Sequence, residues 1–366
     1  MRESVAIWYR GASYQLGRGQ HGYGIWAAGR PRPVEQWPET PEGWSAAWSR
    51  FTAIEAPGSI AHVSPPAAPV AGAVNAVNAV ILLAAGVACG IAGLFPGYLS
   101  GASLAQQPAE LVPHVIYLAV WAAGGLLIVA GGVRRRVGTL LGLGTSAVTF
   151  GFFFADAGLV IAGGTHVLGL GLLLGLVSWL ACTAGAVLAV RMQPAGGPRW
   201  PRGHATGSVT FLALAALAAA GTAAAFAPSW DSYVLRTSAG LTQSLTAGNS
   251  FANPLPVIAG DVAVMVALVV AVITAVLWRP ARLGAALLAG AVIPMAAQAI
   301  SALVQISGPV SPAEFGISPA QAGQLGLTIG AGVTPVFWIY CAFIATLLIM
   351  CAWTLIPPRP VRPARG

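Results

Sequence analysis

Polar and ionisable side chains are costly inside a lipid bilayer, so those that interrupt long apolar runs are the first candidates for chemistry. Five residues fit this description: His114, Asp156, His166, Asp261 and Gln298. On a helix rising 1.5 Å per residue, Asp156 stands about 30 Å from Arg136, and Asp261 stands about 27 Å from Arg279. Gln298 lies roughly 24 Å beyond Arg282 on the same scale. His114 and His166 open apolar runs at a similar height. A hydrocarbon core is about 30 Å thick, so all five belong near one edge of it.

Asp156, Asp261 and His166 together would make a proton or cation site, with Gln298 and His114 at the wall of an outward-facing cavity. An Asp–His pair favours the ionised carboxylate and the charged imidazole. The competing arrangement leaves each group alone in the headgroup layer, wet and unpaired. Asp261 is the strongest single candidate, because no second charge follows it through Leu277. Metal-ligand spacings such as HxxxH are absent, and neither a metal nor a cofactor is expected.

These residues need a membrane-spanning frame, and composition supplies the argument for one. The 366 residues are 57% hydrophobic and only 8% charged, against about 25% charged in soluble domains. A chain this poor in charge cannot present most of its surface to water. Eight windows are long and apolar enough to span: 73–94, 114–133, 138–159, 167–190, 209–227, 257–277, 283–306 and 336–356. Backbone groups in lipid must be satisfied within their own segment, so each window is read as a helix.

Arginine placement orients the spans. All 18 basic residues are Arg. Arg134–Arg136, Arg191, Arg199, Arg202, Arg279 and Arg282 fall in alternate connections, and Arg359, Arg362 and Arg365 fall in the tail. Only Arg236 falls on the other side, whereas Glu110, Asp156, Asp231, Asp261 and Glu314 all do. By the positive-inside rule both termini are cytoplasmic. The pI of 9.9 then records orientation, and nucleic acid is not an expected partner. Anionic lipid headgroups at the inner Arg clusters are. The Ala, Gly, Pro and Arg richness points to a bacterial plasma membrane protein of a GC-rich genome.

The first 55 residues differ in kind. Tyr14–Gly17 and Tyr23–Ala28 flank a Gly-rich stretch and predict a β-hairpin. Thr40 followed by Pro41 predicts a helix start, with Trp44, Trp48 and Phe51 on one face. Residues 1–55 therefore make a small α+β, Trp-rich cytoplasmic module, 56–72 a Pro/Ala-rich linker, 73–356 the eight-helix domain and 357–366 a Pro/Arg-rich tail. Ser103–Gln106, Ser311–Glu314 and Ser318–Gln321 fit the capping-box pattern and predict short helices in the long outer connections. Glycine pairs at four-residue spacing (Gly86/Gly90, Gly138/Gly142, Gly171/Gly175) let helices approach closely.

No P-loop, HExxH or GxSxG motif is present, and the four Cys lie singly in apolar runs, so an enzyme is not the expectation. Besides a membrane enzyme acting on lipid or envelope precursors, which requires a carboxylate pair at the outer interface, two readings remain. The first is a structural or regulatory membrane component whose N-terminal module or basic face binds a protein partner or lipid; its bundle would be packed solid. The second is a permease-like transporter or channel for a small solute or ion, which requires a polar cavity.

Overall fold

The computed structural model describes residues 6–19, 22–30, 32–56, 58–63, 71–99, 101–164, 167–191, 209–246, 248–278 and 281–355. It divides into two compact units, Met1–Ala73 and Val74–Gly366.

In the first unit, strands β1 (Ala6–Arg10), β2 (Tyr14–Gly19), β3 (Gly22–Ala27), β4 (Glu35–Trp37) and β5 (Ala61–His62) form an antiparallel sheet in the order β4-β3-β2-β1-β5. Helix α1 (Pro41–Ile54) starts where the sequence predicts. The Thr40 hydroxyl accepts from the Gly43 amide, and Pro41 occupies the first turn. Leu16, Ile25, Ala47 and Phe51 form the core between helix and sheet. Trp8, Tyr9, Tyr23, Trp44 and Trp48 surround it as a network of edge-on, tilted and stacked rings. The hairpin was legible; β1, β4 and β5 were not, and β5 lies inside the stretch read as linker.

One carboxylate closes this unit. Glu55, just past α1, accepts from the Ala12, Ser13 and Tyr14 amides at 2.8, 2.8 and 2.6 Å, and from the Ser59 hydroxyl. It thereby ties the β1–β2 turn to the helix end. Burial pushes its carboxyl up, but the four donors outweigh burial and hold it below the ordinary 4.5.

In the second unit the long helices are α2 (Ala71–Gly93), α3 (Pro108–Val129), α4 (Gly132–Gly163), α5 (Leu170–Arg191), α6 (Val209–Phe226), α7 (Leu255–Leu277), α8 (Ala281–Ser307) and α10 (Pro335–Leu355). Seven of them, α3–α8 and α10, are long and apolar enough to cross a membrane. Their outward side chains agree: Leu126, Ile161, Leu217 and Ile349 are all more than 60% exposed, an apolar belt that an aqueous surface would not carry. Exposed Trp338 and Trp353 on α10 stand about 22 Å apart along the axis, the disposition of interfacial aromatics. The apolar part of α2 among the described residues is shorter, Val77–Gly93.

Helix α4 is the hub, packing on α3, α5, α7 and α8. It runs well past the predicted window, so Arg134–Arg136 lie in its first turns and not in a connecting loop. Its contact with α7 is backbone against backbone. A Cβ on Gly260 would meet the Ala155 amide nitrogen at 2.5 Å, one on Gly151 would meet Val264 N at 2.5 Å, and one on Gly158 would meet Pro256 C at 2.7 Å. These pairs advance in opposite directions along the two helices, so the crossing is antiparallel and fixed in register. On the α8 side, a Cβ on Gly290 would collide with the Leu141 carbonyl.

Two prolines inside helices free carbonyls, and neighbouring helices take them. Pro294 cannot donate to Gly290, whose carbonyl lies 3.2 Å from Thr145 Oγ1 of α4, a hydroxyl shared with the Leu141 carbonyl of its own helix at 3.0 Å. Pro113 cannot donate to Ala109, whose carbonyl accepts from Ser301 Oγ of α8 at 2.7 Å.

The connections at the C-terminal end of α4 hold more structure than the sequence suggested. The predicted capping boxes at Ser103 and Ser318 are present, and Pro312–Phe315 forms a 3-10 turn. Helix α9 (Pro319–Leu325) follows the second box. The sequence reading missed a hairpin, β6 (Gly97–Leu99) with β7 (Ala102–Ser103), and a sheet in the order β10-β8-β9. That sheet comprises β8 (Asp231–Arg236), β9 (Thr242–Thr246) and β10 (Thr328–Val333). Strand β8 pairs with β10 across a long sequence separation, which no local pattern announces.

Two outcomes follow. Gly260→Ala should destabilise the full-length protein by about 1–3 kcal/mol, read as a lower melting temperature in detergent, while Gly323→Ala, with open space around it, should not. Equal melting temperatures would show that α4 and α7 separate freely. Acidification should unfold the N-terminal unit through Glu55. A depressed folded value contributes stability that is full above the unfolded value near 4.5 and is lost as pH falls through the lower folded value. Tryptophan fluorescence should report that loss below about pH 4.5, and Glu55→Gln should lower stability at neutral pH and flatten the acid dependence.

Candidate functional site

The α4–α7 contact decides where the acids go. Ala155 and Gly260, whose backbones touch, immediately precede Asp156 and Asp261. Both carboxylates therefore face the same space. That space is a cavity of about 200 Å3 lined by Glu110, Pro113, His114, Tyr117, Phe152, Phe153, Ala155, Asp156, Phe226, Asp261 and Gln298. It lies where the two large hydrophobic clusters of the bundle meet. Tyr117 and Phe153 belong to one cluster, while Phe152 and Phe226 pack against the other. A water occupies about 30 Å3 of liquid, so several waters or a small solute fit.

Four of the five candidates from the sequence thus line one cavity: His114, Asp156, Asp261 and Gln298. His166 lies outside the described residues. All four sit toward the same end of the bundle, opposite Arg134–Arg136, Arg191 and Arg282. None of the cavity-lining residues is Arg.

The polar groups are connected. Tyr98 of β6 reaches in from its hairpin, and its hydroxyl donates to Asp156 Oδ2 at 2.7 Å. His114 Nε2 lies 3.2 Å from the same hydroxyl, and His114 Nδ1 donates to the Glu110 carbonyl at 2.8 Å. The imidazole stands edge-on to the Tyr98 ring, with centroids 5.1 Å apart. Gln298 Nε2 donates to the Tyr117 hydroxyl at 2.6 Å, and Tyr117 stacks on Phe152 at 6.1 Å. The Ser250 hydroxyl bonds the Asp261 side chain. Burial and the nearby Asp156 carboxylate push the Tyr98 phenol well above its ordinary range, so it stays protonated.

Glu110, Tyr117 and Tyr98 were not among the sequence candidates. The signal for the first two existed. With α3 starting at Pro108, where proline favours the first turn, Glu110, His114 and Tyr117 fall at i, i+4 and i+7 on one face. Starting the span at His114 cut Glu110 off. It is exposed, at the rim of the cavity. Nothing local marks Tyr98.

Carboxylates beside aromatic rings suit a cation. The acids supply charge, and Tyr117, Phe152, Phe153 and Phe226 line the same cavity, aromatic residues of the kind that attract cations. Among the described residues no group of three or more His, Cys, Asp or Glu side chains is disposed to hold a metal ion. The arrangement fits a monovalent or organic cation, or protons.

The bond freed by Pro113 anchors the first turn of α3, and with it Glu110 and His114. Ser301→Ala should therefore cost about 0.5–1.5 kcal/mol of stability. Ser307→Ala, which loses only a bond to Leu303 of its own helix, should cost nothing measurable in the same unfolding assay. No protein family, curated protein or solved structure matches this chain.

Proposed function

We propose that this chain is a permease-like membrane protein whose helical bundle binds and moves a small organic cation of the alkylammonium class. The observation that carries the reading is the cavity. Asp156, Asp261 and the rim residue Glu110 share it with four aromatic rings and no compensating Arg. Half-buried carboxylates such as Asp156 and Asp261 lose part of their hydration, which is costly unless something positive joins them. A structural role would be served as well by a bundle packed solid, and that role predicts no such cavity.

In this reading α2 is the eighth span, both termini are cytoplasmic and the cavity faces outward, supported by the segregation of Arg to one end. The Arg-rich, Lys-free composition supports a bacterial plasma membrane, with anionic headgroups at the inner Arg clusters. The half-buried aromatic network of the N-terminal unit favours a second role alongside transport, in which that unit docks a protein partner.

Radiolabelled methylammonium uptake into proteoliposomes tests the reading. Wild-type protein should accumulate it, and Asp261→Asn and Asp156→Asn should each reduce uptake about tenfold or more, since one lost charge contact is worth over 1.4 kcal/mol at the effective dielectric of such sites. Uptake equal to empty liposomes, or unchanged in both variants, would remove the proposal.

A further inference from the structure

Hydrogen-bond accounting across Asp156, Tyr98 and His114 constrains how many protons they hold. The Glu110 carbonyl can only accept, so His114 Nδ1 must carry a hydrogen. The Tyr98 hydroxyl has one hydrogen and two neighbours, Asp156 Oδ2 at 2.7 Å and His114 Nε2 at 3.2 Å. If Asp156 is ionised and His114 neutral, both neighbours are acceptors and one hydroxyl hydrogen serves two. One contact is then a meeting of lone pairs in a low-dielectric setting, which is unfavourable.

Adding one proton repairs this in either of two ways. In the first, His114 is an imidazolium donating through Nε2 to the Tyr98 oxygen, and Tyr98 donates to ionised Asp156. In the second, Asp156 is a carboxylic acid donating to the Tyr98 oxygen, and Tyr98 donates to neutral His114. The two differ by a paired shift. The Nε2–H proton moves to the Tyr98 oxygen as the Tyr98 O–H proton moves to Asp156 Oδ2. One N–H and one O–H bond break, two O–H bonds form, and the total charge is unchanged.

We propose that Asp156, Tyr98 and His114 act as one proton-holding unit, in which Tyr98 passes a single exchangeable proton between the carboxylate and the imidazole. Its use rests on the cation reading above. Release of that proton leaves the unit more negative by one, so cation entry and proton exit are coupled, as in exchange of a cation for a proton. The other groups facing the unit are Glu110 and Tyr117 of α3, Asp261 of α7 and Gln298 of α8. Of these Glu110 and Asp261 are carboxyl groups, and when ionised they favour retention of the proton until a cation arrives.

The test needs no cation, so it stands or falls apart from the uptake assay. Full-length protein in nanodiscs is titrated while the Asp156 carboxyl is followed by infrared difference spectroscopy, assigned with Asp156→Asn. The His114 ring is followed by labelled-histidine NMR, assigned with His114→Gln. In the wild type the two signals should change together at one pH. In Tyr98→Phe, which keeps the ring and removes only the bridge, they should separate into two transitions about a pH unit or more apart. If Tyr98→Phe does not fold, His114→Gln supplies the second comparison, since it should shift the Asp156 transition. Independent transitions in the wild type would overturn the proposal, as would coincident transitions that survive Tyr98→Phe or an Asp156 transition unmoved by His114→Gln.

Discussion

The rest of the bundle depends on how closely α4 can lie against α7. Lipid tails are as apolar as leucine, so no hydrophobic force drives two spans together in a membrane; close packing and interhelical hydrogen bonds do. Glycine removes the side chain that would hold the backbones apart. Gly151, Gly158 and Gly260 bring α4 and α7 into main-chain contact, and this contact dictates the register. Because the touching residues Ala155 and Gly260 directly precede Asp156 and Asp261, the same contact that packs the helices also places two acids on one cavity.

The prolines and hydroxyls complete the frame. A proline inside a span leaves a carbonyl without its donor, a costly condition where no water can reach. Thr145 and Ser301 meet that demand from neighbouring helices, converting two local defects into links between α4 and α8 and between α8 and α3. Of the five helices that carry the cavity residues, α3, α4 and α8 are joined by these bonds, and α7 is joined to α4 by the glycine contacts. Around them, large aromatic and aliphatic side chains fill the two hydrophobic clusters, and the cavity is the seam where those clusters meet. A seam lined by carboxylates in such a setting is retained at a cost in stability, which is the usual mark of a place where something binds.

The β elements matter to the site through Tyr98. The hairpin of β6 and β7 folds back over α5 and α3, and Leu99 bridges to Leu168. This anchors the strand that delivers the Tyr98 hydroxyl between His114 and Asp156. A side chain from a loop, and not from a span, thus joins the acid to the imidazole. Movement of that hairpin would alter the hydrogen bonds of both groups at once, linking loop position to the charge state of the cavity.

The sequence by itself pointed to a multi-pass membrane protein, located the long apolar helices, though α3 and α4 each begin six residues before their windows, and indicated the end of the bundle at which Asp156, Asp261, His114 and Gln298 stand. It could do so because these follow from local quantities: apolar run length, the cost of unsatisfied backbone in lipid, the rise per residue and the asymmetry of Arg. It also announced the Thr40–Pro41 helix start and the capping boxes, which are contacts over three or four residues. Only the tertiary structure decided that the polar residues converge. Convergence depends on the rotation and register of each helix, set by glycine contacts between segments about a hundred residues apart. The contacts that place the two acids involve Gly151, Gly158 and Gly260, none of them in the four-residue pairs that the pattern highlighted, while Gly86, Gly138 and Gly171 of those pairs meet Cys182, the Gly124 carbonyl and the Gly93 carbonyl at other helix crossings. The same reason hid Tyr98, β8 and β10: their partners are distant in the chain, and no property of the intervening sequence says which two strands, or which tyrosine and which aspartate, will meet.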